Sequence, residues 1–249
     1  MSSPKTITDP AGVDEVVREA RAQGRVAIDL EFLWERTYAP IACLAQLATP
    51  VGVHLIDPIE GAPLQPVAEL VSDPEVEVVM HAPSADLTLL GLAYGVRPQA
   101  FTDVQLAAGF VGLGAGQGLG NLLERVLRVK LDKGERYTDW SRRPLSAAQL
   151  EYAAGDVIHL LELADELSRR AQELGRTDWV SEEHLRRYGP GARLLLDPEI
   201  AWRKVKGHGR LNTKDRGVLV ALAAWLERAA ARRAKPASWV IPAPTVAPT

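Results

Sequence analysis

The chain has 249 residues, 47% of them hydrophobic and 24% charged, with a formal net charge of −3, a balance that excludes a disordered or low-complexity chain and suffices for one large α/β domain with a small appendage. Its single cysteine, Cys43, excludes an internal disulfide and a cysteine-based zinc site, fits a buried core thiol and suits a reducing compartment. No apolar run approaches the ~18 residues of a membrane span, and none follows Met1-Ser2-Ser3-Pro4-Lys5 as in a signal peptide, so a cytoplasmic chain with no membrane partner is expected.

Ile7 to Ala22 has the spacing of a short amphipathic helix, with Thr8 or Asp9 as its cap and Gly24 as its stop. Val26 to Phe32 reads as a strand. Ile41 to Leu47 and Val51 to Ile56 read as two more, and the short Thr49-Pro50 connection makes them a hairpin. A short helix over Leu64 to Val71 and a β-branched strand over Val76 to Met80 follow, the latter ending at His81. Ser84 to Tyr94 is helical in spacing, and Phe101 to Ala108 enters another helix. The glycine-dense stretch from Gly109 to Gly120 lacks the lysine of a phosphate-binding loop and is read as a plain loop.

Leu119 to Leu127 is then helical, Lys130 to Pro144 irregular, and Ser146 caps one long helix from Ala147 to about Leu174. After a break at Tyr188-Gly189-Pro190-Gly191, helices are expected over Trp202 to Val205 and Thr213 to Arg233, before a proline-bearing end. This order implies an α/β fold, with a mixed central sheet flanked by helices and a short helical C-terminal segment. The expected divisions are a large α/β domain over 1–176, a linker over 177–198, a helical segment over 199–240 and a flexible tail over 241–249. Arg203 to Lys235 holds ten Lys and Arg against Asp215 and Glu227, whereas the rest of the chain is net acidic. A basic module attached to an acidic body, or a solvated helical surface, would each give that asymmetry.

Asp29 and Glu31 stand two apart on a strand, so their side chains share one face, with Leu30 on the other. Two adjacent carboxylates repel and are costly to bury unless a cation joins them, and a hard, oxygen-ligated divalent ion is the natural remedy. The pair alone leaves open that both sit in solvent at the strand's exit. Asp86 lies early in the helix after His81, where complementing the helix N-terminus would also explain it. Tyr152 and Asp156, four apart, share one helix face beside Val157, Leu160 and Leu161.

Three segments in order then carry a resemblance. Val26-Ala27-Ile28-Asp29-Leu30-Glu31-Phe32, His81-Ala82-Pro83-Ser84-Ala85-Asp86-Leu87 and Glu151-Tyr152-Ala153-Ala154-Gly155-Asp156-Val157 resemble the three motifs of the DEDD 3′–5′ exonuclease superfamily. The third is in the form of the tyrosine-bearing (DEDDy) branch. Within that branch the chain resembles the bacterial ribonuclease D family, also through Arg36 to Tyr38 before Leu44 to Leu47, Asp103 with Gln105 to Ala108, and Leu131 to Lys133 through Thr138 to Leu145.

The resemblance implies an RNase H-like exonuclease fold. It implies that Asp29, Glu31, Asp86 and Asp156 hold two divalent cations, Mg²⁺ or Mn²⁺, and that Tyr152 orients the attacking water. The activity implied is stepwise hydrolysis from the 3′ end of single-stranded RNA, in processing or turnover of transfer RNA or other structured RNA, releasing nucleoside 5′-monophosphates. No obligate protein partner is implied. Softer candidates for substrate contact are Phe32 facing the terminal base, Gln46 near the pocket, His81 at the strand end, and Arg36, Lys133, Arg142 and Arg143 against phosphates. Ala201 to Gly207 and Leu219 to Arg233 resemble part of a helicase-and-RNase-D C-terminal (HRDC) domain, a helical nucleic-acid-binding module. Two other readings remain: a 3′–5′ exonuclease acting on single-stranded DNA, and a non-catalytic nucleic-acid binder on the same fold, which would be expected to lack one or more of the four carboxylates.

Overall fold

A computed structural model describes residues 6–131, 138–189, 192 and 197–241. In chain order the strands are β1 (Thr6–Ile7), β2 (Arg25–Leu33), β3 (Ile41–Ala48), β4 (Val53–Ile56), β5 (Glu77–Met80) and β6 (Phe101–Asp103). The helices are α1 (Pro10–Gln23), α2 (Gln65–Val71), α3 (Ser84–Tyr94), α4 (Val104–Phe110), α5 (Leu119–Val126), α6 (Ala147–Ile158), α7 (Leu160–Glu173), α8 (Thr177–Tyr188), α9 (Thr213–Arg233) and α10 (Ala237–Val240).

Local chemistry sets the boundaries of these elements. The Asp9 carboxylate accepts the Gly12 N–H at 3.0 Å to start α1, Pro10 tolerates the first turn, and Gly24 ends the helix at φ 68, where a β-carbon would be strained. The Thr49 hydroxyl accepts the N–H groups of Val51 and Gly52 at 3.1 and 3.3 Å. That turn consumes the start of the strand expected from Val51, so β4 begins at Val53. Ser146 and Gln149 form a reciprocal capping box at the start of α6.

Among the described residues the sheet has the order β1-β4-β3-β2-β5-β6. The β3–β4 hairpin is antiparallel, and the β1–β4, β2–β5 and β5–β6 pairs are parallel, so the sheet is mixed as expected. Val26, Ile28 and Leu30 of β2 join Ala45, Leu47, Val78 and Met80 in a core that takes in residues of α1, α2 and α3. Ala27 and Val79, on the other face, pack with residues of α4, α5 and α7. Helices therefore cover both faces of the sheet, and β2, inside the sheet, is buried at its start.

Five features depart from expectation. Phe101–Asp103 pairs as a parallel edge strand before the helix, because Val78, Val79 and Met80 offer it partners and Asp103 then caps α4 through the Gln105 N–H at 2.9 Å. The two-residue β1 was likewise not anticipated. The single helix expected from 147 to 174 is interrupted at His159. Before the interruption Ala153 packs with Cys43, Leu44, Leu55 and Trp140; after it Leu160, Leu163 and Leu167 pack with Ala27 and Val79. The segment expected as a linker over 177–198 begins instead with α8, whose His184 and Tyr188 are buried. In place of a helix over Trp202 to Val205 there is a 3₁₀ helix over Pro198–Lys204.

The chain divides into two units, residues 1–32 with 42–192 and residues 33–41 with 193–249. The first contains nearly the whole sheet with α1 to α8. In the second, the segment between β2 and β3 joins the C-terminal helices: the Tyr38 hydroxyl is hydrogen-bonded to Glu227, which also lies 3.6 Å from Lys204 Nζ. Arg228 pairs with Glu199 at 2.6 Å, and the Asn212 side chain caps α9 by accepting the Asp215 N–H at 2.9 Å.

Candidate active site

Alternation along β2 sends Val26, Ile28 and Leu30 into the core and leaves Asp29 and Glu31 together on the opposite face. Opposite them, α6 presents Asp156, with Tyr152 one turn earlier. Carboxylate oxygens of Asp29, Glu31 and Asp156 all lie within 4.8 Å of one another. Asp86, in the first turn of α3, is buried and accepts hydrogen bonds from its own backbone N–H and that of Leu30. It also acts electrostatically on both Asp29 and Glu31. The fold thus draws together carboxylates from β2, α3 and α6.

Their proton affinities report the strain of that assembly. Burial, then repulsion from Asp86, Asp156 and Glu31, holds the Asp29 carboxyl well above the ordinary aspartate range. Glu31 is pushed up to about 8 by burial and by repulsion from Asp156 and Asp86. Burial pushes Asp86 to about 7 against the opposing pull of its backbone hydrogen bonds. Without a counter-ion, charge at neutral pH is disfavoured here; a divalent cation reverses that balance by favouring the ionised form of every ligand. The donor set is oxygen throughout, close enough to share a cation and short of positive charge, so these residues fit a hard divalent ion.

The Tyr152 ring packs against Trp140, with centroids 6.1 Å apart and planes tilted by 40°. Trp140 is itself buried among Cys43, Leu44, Leu55 and Ala153. Cys43 is the buried core thiol expected of it. The irregular segment before α6 therefore fixes the ring of a candidate catalytic residue. A tryptophan in an unpatterned stretch offered no periodic signal of that role.

The softer candidates divide. The proposed phosphate contact of Arg143 is corrected: its five N–H groups are taken by both Asp57 carboxylate oxygens, at 2.6 Å each, and by the carbonyls of Cys43, Trp140 and Arg142. Asp57 is only 2% exposed, so this is an internal clasp between the end of β4 and the segment leading to α6. Arg142 is exposed and lies 3.3 Å from Asp139. Lys133 lies outside the described residues. Arg36 belongs to the 33–41 segment of the second unit.

A ring nitrogen of His81 is 2.9 Å from the Gln117 carbonyl, which also accepts from the Gln105 side chain at 3.0 Å. His81 thereby pins the glycine-dense loop to the end of β5. Phe32 packs against the cluster that holds Leu30, and Gln46 is fully buried, with neither side-chain polar atom paired among the described residues. Sequence reasoning gave no site role to Asp57 or Asp103, two buried carboxylates with partners remote in sequence.

The comparisons with known proteins agree with this geometry. Residues 4–172 match the sequence model of the 3′–5′ exonuclease family, and the chain belongs to that family. It is similar to the ribonuclease D of Gluconacetobacter diazotrophicus, 40% identical over 230 residues that cover 92% of this chain and 58% of that protein. The crystal structure of Escherichia coli RNase D, described as an exoribonuclease involved in structured RNA processing, superposes with a TM-score of 0.80 at 32% identity. That match covers 96% of this chain and 63% of the other. Brucella melitensis NrnC with bound Mg²⁺ gives 0.58 at 27% identity, over 67% and 84% of the two chains. The chain thus spans less than two thirds of the length of these ribonuclease D relatives. The resemblance to ribonuclease D holds; the family match ends before the HRDC-like segment. Among the described residues, no helix is long and apolar enough to cross a membrane.

Proposed function

We propose that the chain is a metal-dependent 3′–5′ exoribonuclease, removing nucleoside 5′-monophosphates from the 3′ end of single-stranded RNA in the cytoplasm. The observation that carries this reading is the convergence of Asp29, Glu31 and Asp156, with the buried Asp86 close enough to repel Asp29 and Glu31, on the fold of a 3′–5′ exonuclease. Asp29, Glu31, Asp86 and Asp156 would hold two divalent cations, Mg²⁺ or Mn²⁺. When bound, such ions lower the pKa of an attacking water and stabilise the departing 3′-oxygen.

Tyr152 is the water-orienting group. An ordinary phenol, with a pKa near 10, is a poor general base at neutral pH but a good hydrogen-bonding post, and Trp140 holds its ring in place. RNA is favoured over DNA by the likeness to ribonuclease D, the E. coli member of which is described as an exoribonuclease involved in structured RNA processing. The basic residues of 199–240 would contribute phosphate contacts that bind without reading sequence.

A degradation time course on 5′-labelled single-stranded RNA and DNA of matched sequence, with Mg²⁺, Mn²⁺ or EDTA, tests the proposal. Stepwise shortening that requires metal and vanishes in Asp29→Asn is expected, faster on RNA. Activity that survives EDTA or Asp29→Asn would sink the metal assignment. Equal ladders on RNA and DNA would sink only the RNA preference.

A further inference from the structure

We infer that Asp103 is a positioning residue for Asp86, acting through the left-handed turn at Ala82 and clamped from α8 by Tyr188. The inference rests on the proposed metal-binding role of Asp86.

The parallel register pairs Met80 with Asp103, which puts a carboxylate beside the point where β5 ends and the chain turns toward α3. Ala82, in that turn, has φ 53, a left-handed conformation that a residue with a β-carbon holds only when its surroundings impose it. Its N–H donates to Asp103 Oδ1 at 3.0 Å, and its carbonyl accepts from the Ser84 N–H at 3.0 Å. Ser84 opens α3, and Asp86 follows within the first turn. The direction in which Asp86 leaves the sheet therefore depends on a turn whose strained residue is held by Asp103.

The other contacts of Asp103 show a carboxylate committed to this task. Oδ1 also accepts the Gln105 N–H at 2.9 Å, and Oδ2 accepts the Tyr188 hydroxyl at 2.7 Å. The Asp103 N–H donates to His184 Nε2 at 2.9 Å. Burial pushes the Tyr188 phenol up and the His184 imidazole down, which keeps the first a donor and the second uncharged. A cap for α4 needs only the Gln105 contact; the Ala82 and Tyr188 contacts tie the metal-ligand turn to α8. Asp103 is 1% exposed, so it cannot touch substrate. Groups hydrogen-bonded directly to metal ligands are worth about 10- to 100-fold in metal affinity or activity, and Asp103, acting through the turn before Asp86, is expected at the low end of that range.

The test titrates Mn²⁺ by calorimetry into the substrate-free wild type, Asp103→Ala, Asp103→Asn, Tyr188→Phe and Asp86→Asn. Thermal melting of each protein is recorded in EDTA, and kcat and KM are measured separately. Asp103→Ala is expected to weaken Mn²⁺ binding about 10-fold and to lower kcat with little change in KM. Asp103→Asn, which retains an acceptor oxygen for Ala82 and Gln105, is expected to recover most of the loss. Tyr188→Phe shifts affinity in the same direction by less.

A folded Asp103→Ala that binds Mn²⁺ as tightly as wild type would overturn the inference. Should Asp103→Ala fail to fold, wild-type Mn²⁺ affinity in Tyr188→Phe, which loses the clamp on Oδ2, would overturn it equally. A wild type that binds no Mn²⁺ would instead remove the metal reading itself, and Asp86→Asn marks the size of a direct ligand loss.

Discussion

Glu31→Gln separates the charge strain of the site from its chemistry. In the cation-free protein Glu31 is pushed from 4.5 to about 8, so the folded state holds a proton that the unfolded chain releases. A carboxyl raised on folding contributes stability that is present below about 4.5 and is lost as pH climbs through about 8. Each tenfold change in proton affinity is worth about 1.4 kcal/mol, which bounds the loss at about 5 kcal/mol. Because solvent still reaches part of the side chain, the observed effect is expected to be smaller, about 1–3 kcal/mol.

Urea denaturation in EDTA, at pH 5 and pH 9, measures this directly. Glu31→Gln should be more stable than wild type at pH 9 by that amount and close to it at pH 5. With saturating Mn²⁺ the order should reverse at pH 9, since the variant has lost a ligand while wild type gains the binding free energy. The same difference between variant and wild type at both pH values, in EDTA, would refute the claim that these carboxylates are electrostatically strained.

Two further outcomes follow from the surroundings of the site. Arg143→Ala should cost about 3–5 kcal/mol in urea denaturation, since it leaves Asp57 buried without its partner, whereas Arg142→Ala should stay within about 0.5 kcal/mol; equal effects would return Arg143 to the list of surface cations. Tyr152→Phe preserves the packing on Trp140 but removes the hydroxyl, so single-turnover rates should fall by about 10²-fold with Mn²⁺ affinity unchanged; an unaltered rate would rule out the water-orienting role.

Much of this molecule is legible from local pattern. Alternation in Val26 to Phe32 puts two carboxylates on one strand face, helical spacing puts Tyr152 and Asp156 on another, and Ser146 announces the start of α6. These are short-range effects, written in periods of two and 3.6 residues and in caps a few positions away. The order of three motifs named the family, through resemblance and not through periodicity.

Tertiary structure decided what those residues meet. That Asp86 reaches Leu30, that Arg143 closes on Asp57 instead of facing a phosphate, and that Asp103 joins Ala82 to Tyr188 are contacts between positions 56, 86, 21 and 85 residues apart. Nothing in local propensity encodes them. The short edge strands β1 and β6 escaped notice for the same reason, since two or three residues become strands only when a neighbouring strand supplies the hydrogen-bonding partners. The awkward pair on β2 was visible in the sequence; that it is strained, shared with α3 and α6 and suited to a divalent cation follows only from the packing that desolvates it.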